Sequence, residues 1–364
     1  MTCSRQIHDR FGLYLVFLRM VGIPVFMKKS KLYFAYEIVA NICIYTTSLA
    51  CWLQILEEKH DLKEMMATLR IAMSMVLVNI LHFYMRFYLK AFEELLQITD
   101  TFTWEELPAR SPTTGKLTAV GWIDALKKFM KYTLIYVLIF HCIQTAYRMW
   151  YVENSMVFRA WYPYNYTVSP AYELTNFSQA ISSVCGATTV LAFPGLYSTM
   201  VAIGRCQFDK IRIMLQAIYS QESSASDAQN QLKECIVLHQ QVLEYLRKIE
   251  DVLSNCLGAV LFLQMTDLCV LAFSLIISWG DYADMSQSFF IYLVWMTNTF
   301  IICWSANELS DAADSVKGSA YEVDWIGAPI PFQRSILLMI TRTNQSFVLT
   351  AGKFVPVNNE TMMN

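Results

Sequence analysis

Charge is what this sequence has least of. Asp, Glu, Lys and Arg make up 16% of its 364 residues, against roughly 25% in a soluble domain. The formal net charge is −2, so no basic excess points to nucleic acid as a partner. There is no CxxC pair among the ten cysteines, and residues 152–173 contain no cysteine at all. Cys43, Cys51, Cys142, Cys185, Cys256, Cys269 and Cys303 lie in or beside apolar runs, so they read as reduced thiols acting as small hydrophobes. His8, His60, His82, His141 and His239 form no HExxH or HxxxD pair, and GxSxG, P-loop and dinucleotide motifs are missing. An enzyme is therefore not the expected class, and no cofactor or metal is expected. The apolar stretch 11–16 is short, Arg19 follows it, and no small-residue cleavage site comes after, so it does not read as a signal peptide.

What is present is apolar: 55% of residues are hydrophobic and 14% aromatic. Six long apolar runs cover residues 33–56, 65–88, 129–151, 174–203, 256–279 and 287–306. Each is long enough to cross about 30 Å of hydrocarbon as a helix. Lipid satisfies no backbone hydrogen bonds, and the alternation of a barrel strand is not seen, so the expected fold is all-α, a polytopic membrane helix bundle. Trp52, Tyr84, Tyr88, Trp150, Tyr151, Trp279 and Trp304 stand near run ends, as an interfacial belt does. Lys and Arg gather in the segments before the first run, between the second and third, between the fourth and fifth, and after the sixth. Only Lys59, Lys63, Arg70, Arg148 and Arg159 fall on the other side. The positive-inside rule then puts the N-terminus in the cytoplasm. The sequons at Asn165 and Asn176 lie in or beside the third connection, on the expected outer side, and are glycosylation candidates. A G-protein-coupled receptor needs the opposite orientation, and no Asp-Arg-Tyr follows the third run, so no G protein is required. Apolar residues at helical spacing over 205–219 and 232–254 predict that the fourth and fifth spans continue below the membrane. Residues 221–227 read as a flexible polar linker, and 108–116 as a disordered insert.

The closing segment carries the most specific pattern. It reads Cys303-Trp304-Ser305-Ala306-Asn307-Glu308-Leu309, then Ala320-Tyr321-Glu322-Val323-Asp324-Trp325, then Leu337-Leu338-Met339-Ile340 and Leu349-Thr350-Ala351-Gly352-Lys353-Phe354. In order and spacing this resembles the C-terminal signature of insect odorant receptors, whose members are odorant-gated cation-channel subunits. The resemblance implies seven spans, residence in the plasma membrane of an olfactory sensory neuron, membrane lipid around the bundle, and a hetero-tetramer with a co-receptor subunit. This chain would be the tuning subunit. It implies a division into 1–306, the odorant-binding bundle; 307–354, a cytoplasmic anchor; and 355–364, the start of a truncated pore-lining seventh helix, which would cover only about 13 Å. Within the anchor, Tyr321 and Trp325 precede a break at Pro329 and Pro331. A helix over about 332–350 would bring Ile336, Met339, Ile340 and Phe347 to one face, for packing either between subunits or within one. Ser346 replaces the proline often found there, and Gly352 would permit a turn toward the pore helix.

The same resemblance puts the odorant site among the outer halves of spans two, three, four and six. Depth and chemistry then suggest Met73 and Leu77 on span two, and His141, Thr145 and Met149 on span three. They suggest Ile181, Ser182 and Cys185 on span four, and Phe289, Tyr292 and Met296 on span six. Asp267, near the middle of span five, is either a hydrogen-bonded acid facing the bundle or a coupling element. Pro194-Gly195 would kink or loosen span four. A membrane transporter of small amphipathic solutes is the rival class, but the chain shows no internal repeat.

Overall fold

A computed structural model describes residues 4–28, 30–58, 61–104, 107–110, 115–152, 154–218, 225–345 and 347–363. Among them, six helices are long and apolar enough to cross a membrane: α2 (Lys31–Glu57), α3 (Leu62–Phe87), α5 (Ala119–Tyr151), α6 (Ala171–Ala217), α7 (Ala225–Ile277) and α8 (Tyr282–Glu322). Four of the expected runs fall within one of them, while 65–88 and 256–279 overrun the ends of α3 and α7 by one and two residues. Their starts are written in the sequence. Ser30 accepts a hydrogen bond from the Tyr33 amide, Asp61 from those of Lys63 and Glu64, and Asp281 from that of Asp284, which satisfies amides that a helix N-terminus leaves open. The bundle's exterior is apolar. On α5 the exposed residues Tyr132, Ile135, Tyr136, Ile139, Ile143 and Tyr147 form one stripe, a surface suited to hydrocarbon.

α6 is the axis. It packs against α1 (Arg5–Met20), α2, α3, α5, α7 and α8, and residues 188–201 along it are all buried. The proline at 194 does not end it; the helix runs through. Gly195 has a different reason to be there: a Cβ on it would lie 2.3 Å from Cε1 of Tyr14 on α1. The glycine lets the Tyr14 ring lie on the helix backbone. Gly204 does the same one level down, where a Cβ would come within 2.8 Å of Leu246 on α7.

Two helices escape the sequence reading. α1 buries Ile7, Phe11, Tyr14, Leu15 and Leu18, and α4 (Leu89–Ile98) buries Phe92, Leu95 and Leu96. Arg10 ties this region together. It donates to the carbonyl oxygens of Thr99 and Phe102, and its guanidinium lies 3.9 Å from the centre of the Trp104 ring.

α6 and α7 do continue past their spans as the periodicity requires, although α6 ends at Ala217. α8 continues as well, to Glu322, because Leu309, Ala312, Val316 and Ala320 keep one buried face. The linker expected over 221–227 is helical from Ala225, and its residues 221–224 lie outside the described residues. So do 111–114 of the expected insert, whose flanks are joined by a bridge between Arg110 and Leu117.

The closing segment departs from expectation. α9 (Ile330–Thr343) is shorter than the helix predicted over 332–350. Thr350 belongs instead to a hairpin of β1 (Thr350–Ala351) and β2 (Val355–Pro356), followed by α10 (Asn359–Met363). Gly352 and Lys353 turn the hairpin with φ of +65° each, and the Gly352 amide donates to the Ser254 carbonyl at 2.7 Å. Ile336, Met339 and Ile340 are buried within this one chain. Their face packs on the chain's own core. Trp325 and Phe347 are partly buried against the same core, and Tyr321 is exposed. Ser346 lies outside the described residues.

Replacing Gly195 with alanine should displace Tyr14 and loosen α1 from α6, costing about 1–3 kcal/mol. Thermal unfolding in detergent would read this as a lower midpoint, partly restored by adding Tyr14→Ala. An unchanged midpoint would contradict the close approach.

Candidate ligand-binding site

α3, α5, α6 and α8 converge on a cavity of about 150 Å³. Its walls are Ile71, Met75 and Val78 of α3, Val137, Leu138 and Phe140 of α5, and Phe290, Ile291 and Val294 of α8. The room comes from α6, which presents Ser183, Gly186 and Ala187. Phe158 closes one side from the α5–α6 connection, held by its amide donating to Gln179 at 2.8 Å. A volume near 150 Å³ is that of an apolar cavity able to take a benzene-sized molecule. A larger hollow of about 570 Å³ lies between α5, α6 and α8, but its walls include the exposed Trp122, Phe129 and Phe300. It opens toward the surrounding hydrocarbon.

One end of the inner cavity is polar, at the side of the bundle that the charge pattern assigns to the outside. Arg70, 1% exposed, reaches from α3 to α8. It meets Asp284 at 3.1 Å, Gln287 at 2.9 Å and Ser288 at 2.5 Å, and also Ser274 of α7 at 3.2 Å. Arg148 of α5 donates to the same Gln287 oxygen at 3.4 Å and to the Val157 carbonyl at 3.2 Å. Gln144 donates to Ser286 at 2.9 Å. Beyond this layer is a polar vestibule of about 410 Å³, lined by Glu58, Arg148, Asp281 and Asp284 among others. Gln144 lines both spaces. At the rim, Lys63 donates to Asp281 at 2.9 Å and holds that carboxyl below its usual range. The polar layer thus lies between a polar vestibule and an apolar chamber. Asp267 stands behind the chamber: it is buried and accepts from Ser74, a wall residue, at 2.8 Å.

The family model described as 7tm Odorant receptor matches residues 61–364. The chain belongs to the odorant receptor family. Odorant receptor 19a of Drosophila melanogaster is 24% identical over 213 residues, 57% of this chain and 54% of that one. Odorant receptor Or2 of Anopheles gambiae is 23% identical over 214 residues, 54% of this chain and 56% of that one. The matched region thus spans about half the length of these curated relatives. Among solved structures, the olfactory receptor OR5 of Machilis hrabei in complex with eugenol superposes with a TM-score of 0.74 at 13% identity, covering 98% of this chain and 94% of that one. OR5 alone gives 0.73 at 15% identity with the same coverage. The shared architecture is a polytopic membrane bundle.

In this chain the four expected helices do meet around the cavity, but mostly with other faces than expected. His141 is in the wall. On α3, Met73 and Leu77 are out of phase with the lining residues Ser74 and Val78. On α5, Gln144 lines the cavity where Thr145 and Met149 were expected. On α6, Ile181, Ser182 and Cys185 give way to Ser183, Gly186 and Ala187. On α8, Phe289, Tyr292 and Met296 give way to Phe290, Ile291 and Trp295. The physical reason is phase: one residue along a helix turns the side chain through about 100°. Met149 and Phe289 are exposed, while Ser182 and Cys185 are buried off the cavity. Arg70, Asp284 and Gln287 were missed as a site. The signal was available, since an arginine inside an apolar run needs a partner. Of the sequons, Asn165 is exposed in a connection. Asn176 lies within α6, its Nδ2 donating to Tyr172 and its Oδ1 accepting from the Val157 amide, so its side chain is committed to the fold.

Asp284→Asn would leave the buried Arg70 without its carboxylate and should cost on the order of 3 kcal/mol. The paired change Arg70→Met with Asp284→Leu should recover most of that. Thermal midpoints in detergent check this, and a single variant as stable as the parent would show that the ion pair does not hold α3 to α8.

Proposed function

We propose that this chain is the tuning subunit of an odorant-gated cation channel, binding small, largely apolar odorants between α3, α5, α6 and α8. The observation that carries the reading is the chamber itself, an apolar space of about 150 Å³ between four helices with one polar end, the form that small-molecule sites take. Its counterpart in function is a hetero-tetramer with a co-receptor subunit in the plasma membrane of an olfactory sensory neuron, with the N-terminus cytoplasmic and Asn165 available for glycosylation outside. Residues 307–354 act as the anchor between subunits. The internal burial of Ile336, Met339 and Ile340 leaves that contact to other residues, such as the exposed Tyr321, Leu337 and Leu338.

Cells expressing the chain together with a co-receptor subunit should show odorant-evoked cation current. Ala187→Leu, which fills the chamber from α6, should raise the half-maximal odorant concentration by about tenfold or more at unchanged surface expression. No current across a broad odorant panel despite surface expression, or a response unaffected by the filling residue, would refute the reading.

A further inference from the structure

We propose that the chamber selects small neutral molecules ending in a carbonyl oxygen (ketones, aldehydes or esters) over hydrocarbons of equal size. The inference rests on the chamber being the odorant site. It is carried by the orientation of the Gln287 amide. Arg70 and Arg148 both donate to its Oε1, at 2.9 Å and 3.4 Å. A guanidinium has donors only, so the amide oxygen must face the arginines and the NH₂ group must face away. Gln287 is 5% exposed and lines the chamber, not the vestibule. Its Nε2 has no hydrogen-bond partner among the described residues, so the arginines leave a fixed, unspent donor at the chamber's polar end.

The surrounding groups point the same way. Arg70 pairs with Asp284, Arg148 donates to Gln287, and Lys63 and Asp281 pair with each other at the rim. Both groups that touch the Gln287 oxygen are thus guanidiniums, which carry donors only and favour the negative end of a ligand dipole. Two further wall residues, His141 and Trp295, each hold a ring nitrogen with no partner among the described residues, and the indole nitrogen can only donate. A carbonyl oxygen at this end would satisfy the Gln287 donor while its carbon chain fills the space between Val78, Val190 and Val294. A hydrocarbon would leave the donor unpaired.

The test is ligand-induced thermal stabilisation of the purified full chain in lipid nanodiscs, with octane, 1-heptanol and 2-heptanone as probes of equal heavy-atom count. The ketone should bind about tenfold more tightly than the alkane. Gln287→Glu keeps oxygen acceptors for both arginines and removes the NH₂ group. It should weaken the ketone by about tenfold and put the alcohol, which can donate to the new carboxylate, ahead of it. Octane binding as tightly as the ketone, or Gln287→Glu keeping the ketone preferred, would overturn the inference while leaving the chamber as a ligand site. Failure of all three probes to stabilise the chain would overturn both.

Discussion

A guanidinium placed two turns inside an apolar helix must find its counter-charge within the protein, because the surrounding hydrocarbon offers none. Arg70 meets that demand by binding Asp284, Gln287 and Ser288 of α8 and Ser274 of α7. Three helices are thereby fixed to one point at one end of the bundle. The same bonds decide which way Gln287 faces, where the polar layer ends and where the apolar chamber begins. The site is in this sense a by-product of burying a charge safely.

The other half of the constraint is steric. α6 can be surrounded by other helices only because small residues interrupt its surface at the right levels. Gly195 admits Tyr14 and Gly204 admits Leu246. Ser183, Gly186 and Ala187 are small in the same way but face no side chain large enough to fill the space, and the chamber results. Close packing at two levels and a deliberate shortfall at a third come from one choice of residue size. Farther along, Gly258 lets the backbone of the hairpin at Gly352 lie on α7, where any Cβ would come within 2.9 Å of the Gly352 nitrogen.

The sequence made the six long helices legible because runs of that length and hydropathy have few other uses. It also showed the continuation of α6 and α7, since Leu232, Cys235, Leu246, Ile249 and Leu253 keep a helical repeat. α1 was hidden because Arg10 and Arg19 interrupt its apolar stripe, and Arg10 proves to be turned inward onto carbonyl groups. The end of α9 and the hairpin after it depend on a tertiary contact with Ser254 that no local pattern announces. At the site, the helices and their depth were legible through family resemblance, but the faces were not. A helix that is apolar all round gives no phase, and the lining residues differ from Met73, Leu77 or Tyr292 by no property except direction. The polar residues were the better guide: Ser74, Gln144 and Gln287 stand in apolar helices for a reason, and all three line the chamber.

Substituted-cysteine protection shows whether ligand occupies the chamber between α3, α5, α6 and α8. Ser183→Cys puts a thiol in the chamber wall, while the native Cys142 and Cys269 are exposed and serve as references in the same molecule. Labelling with methyl methanethiosulfonate, resolved site by site by mass spectrometry, is run with and without an odorant that evokes current. With ligand in the chamber, the odorant slows labelling at position 183 and leaves Cys142 and Cys269 unaffected. Equal labelling at position 183 under saturating odorant would contradict it.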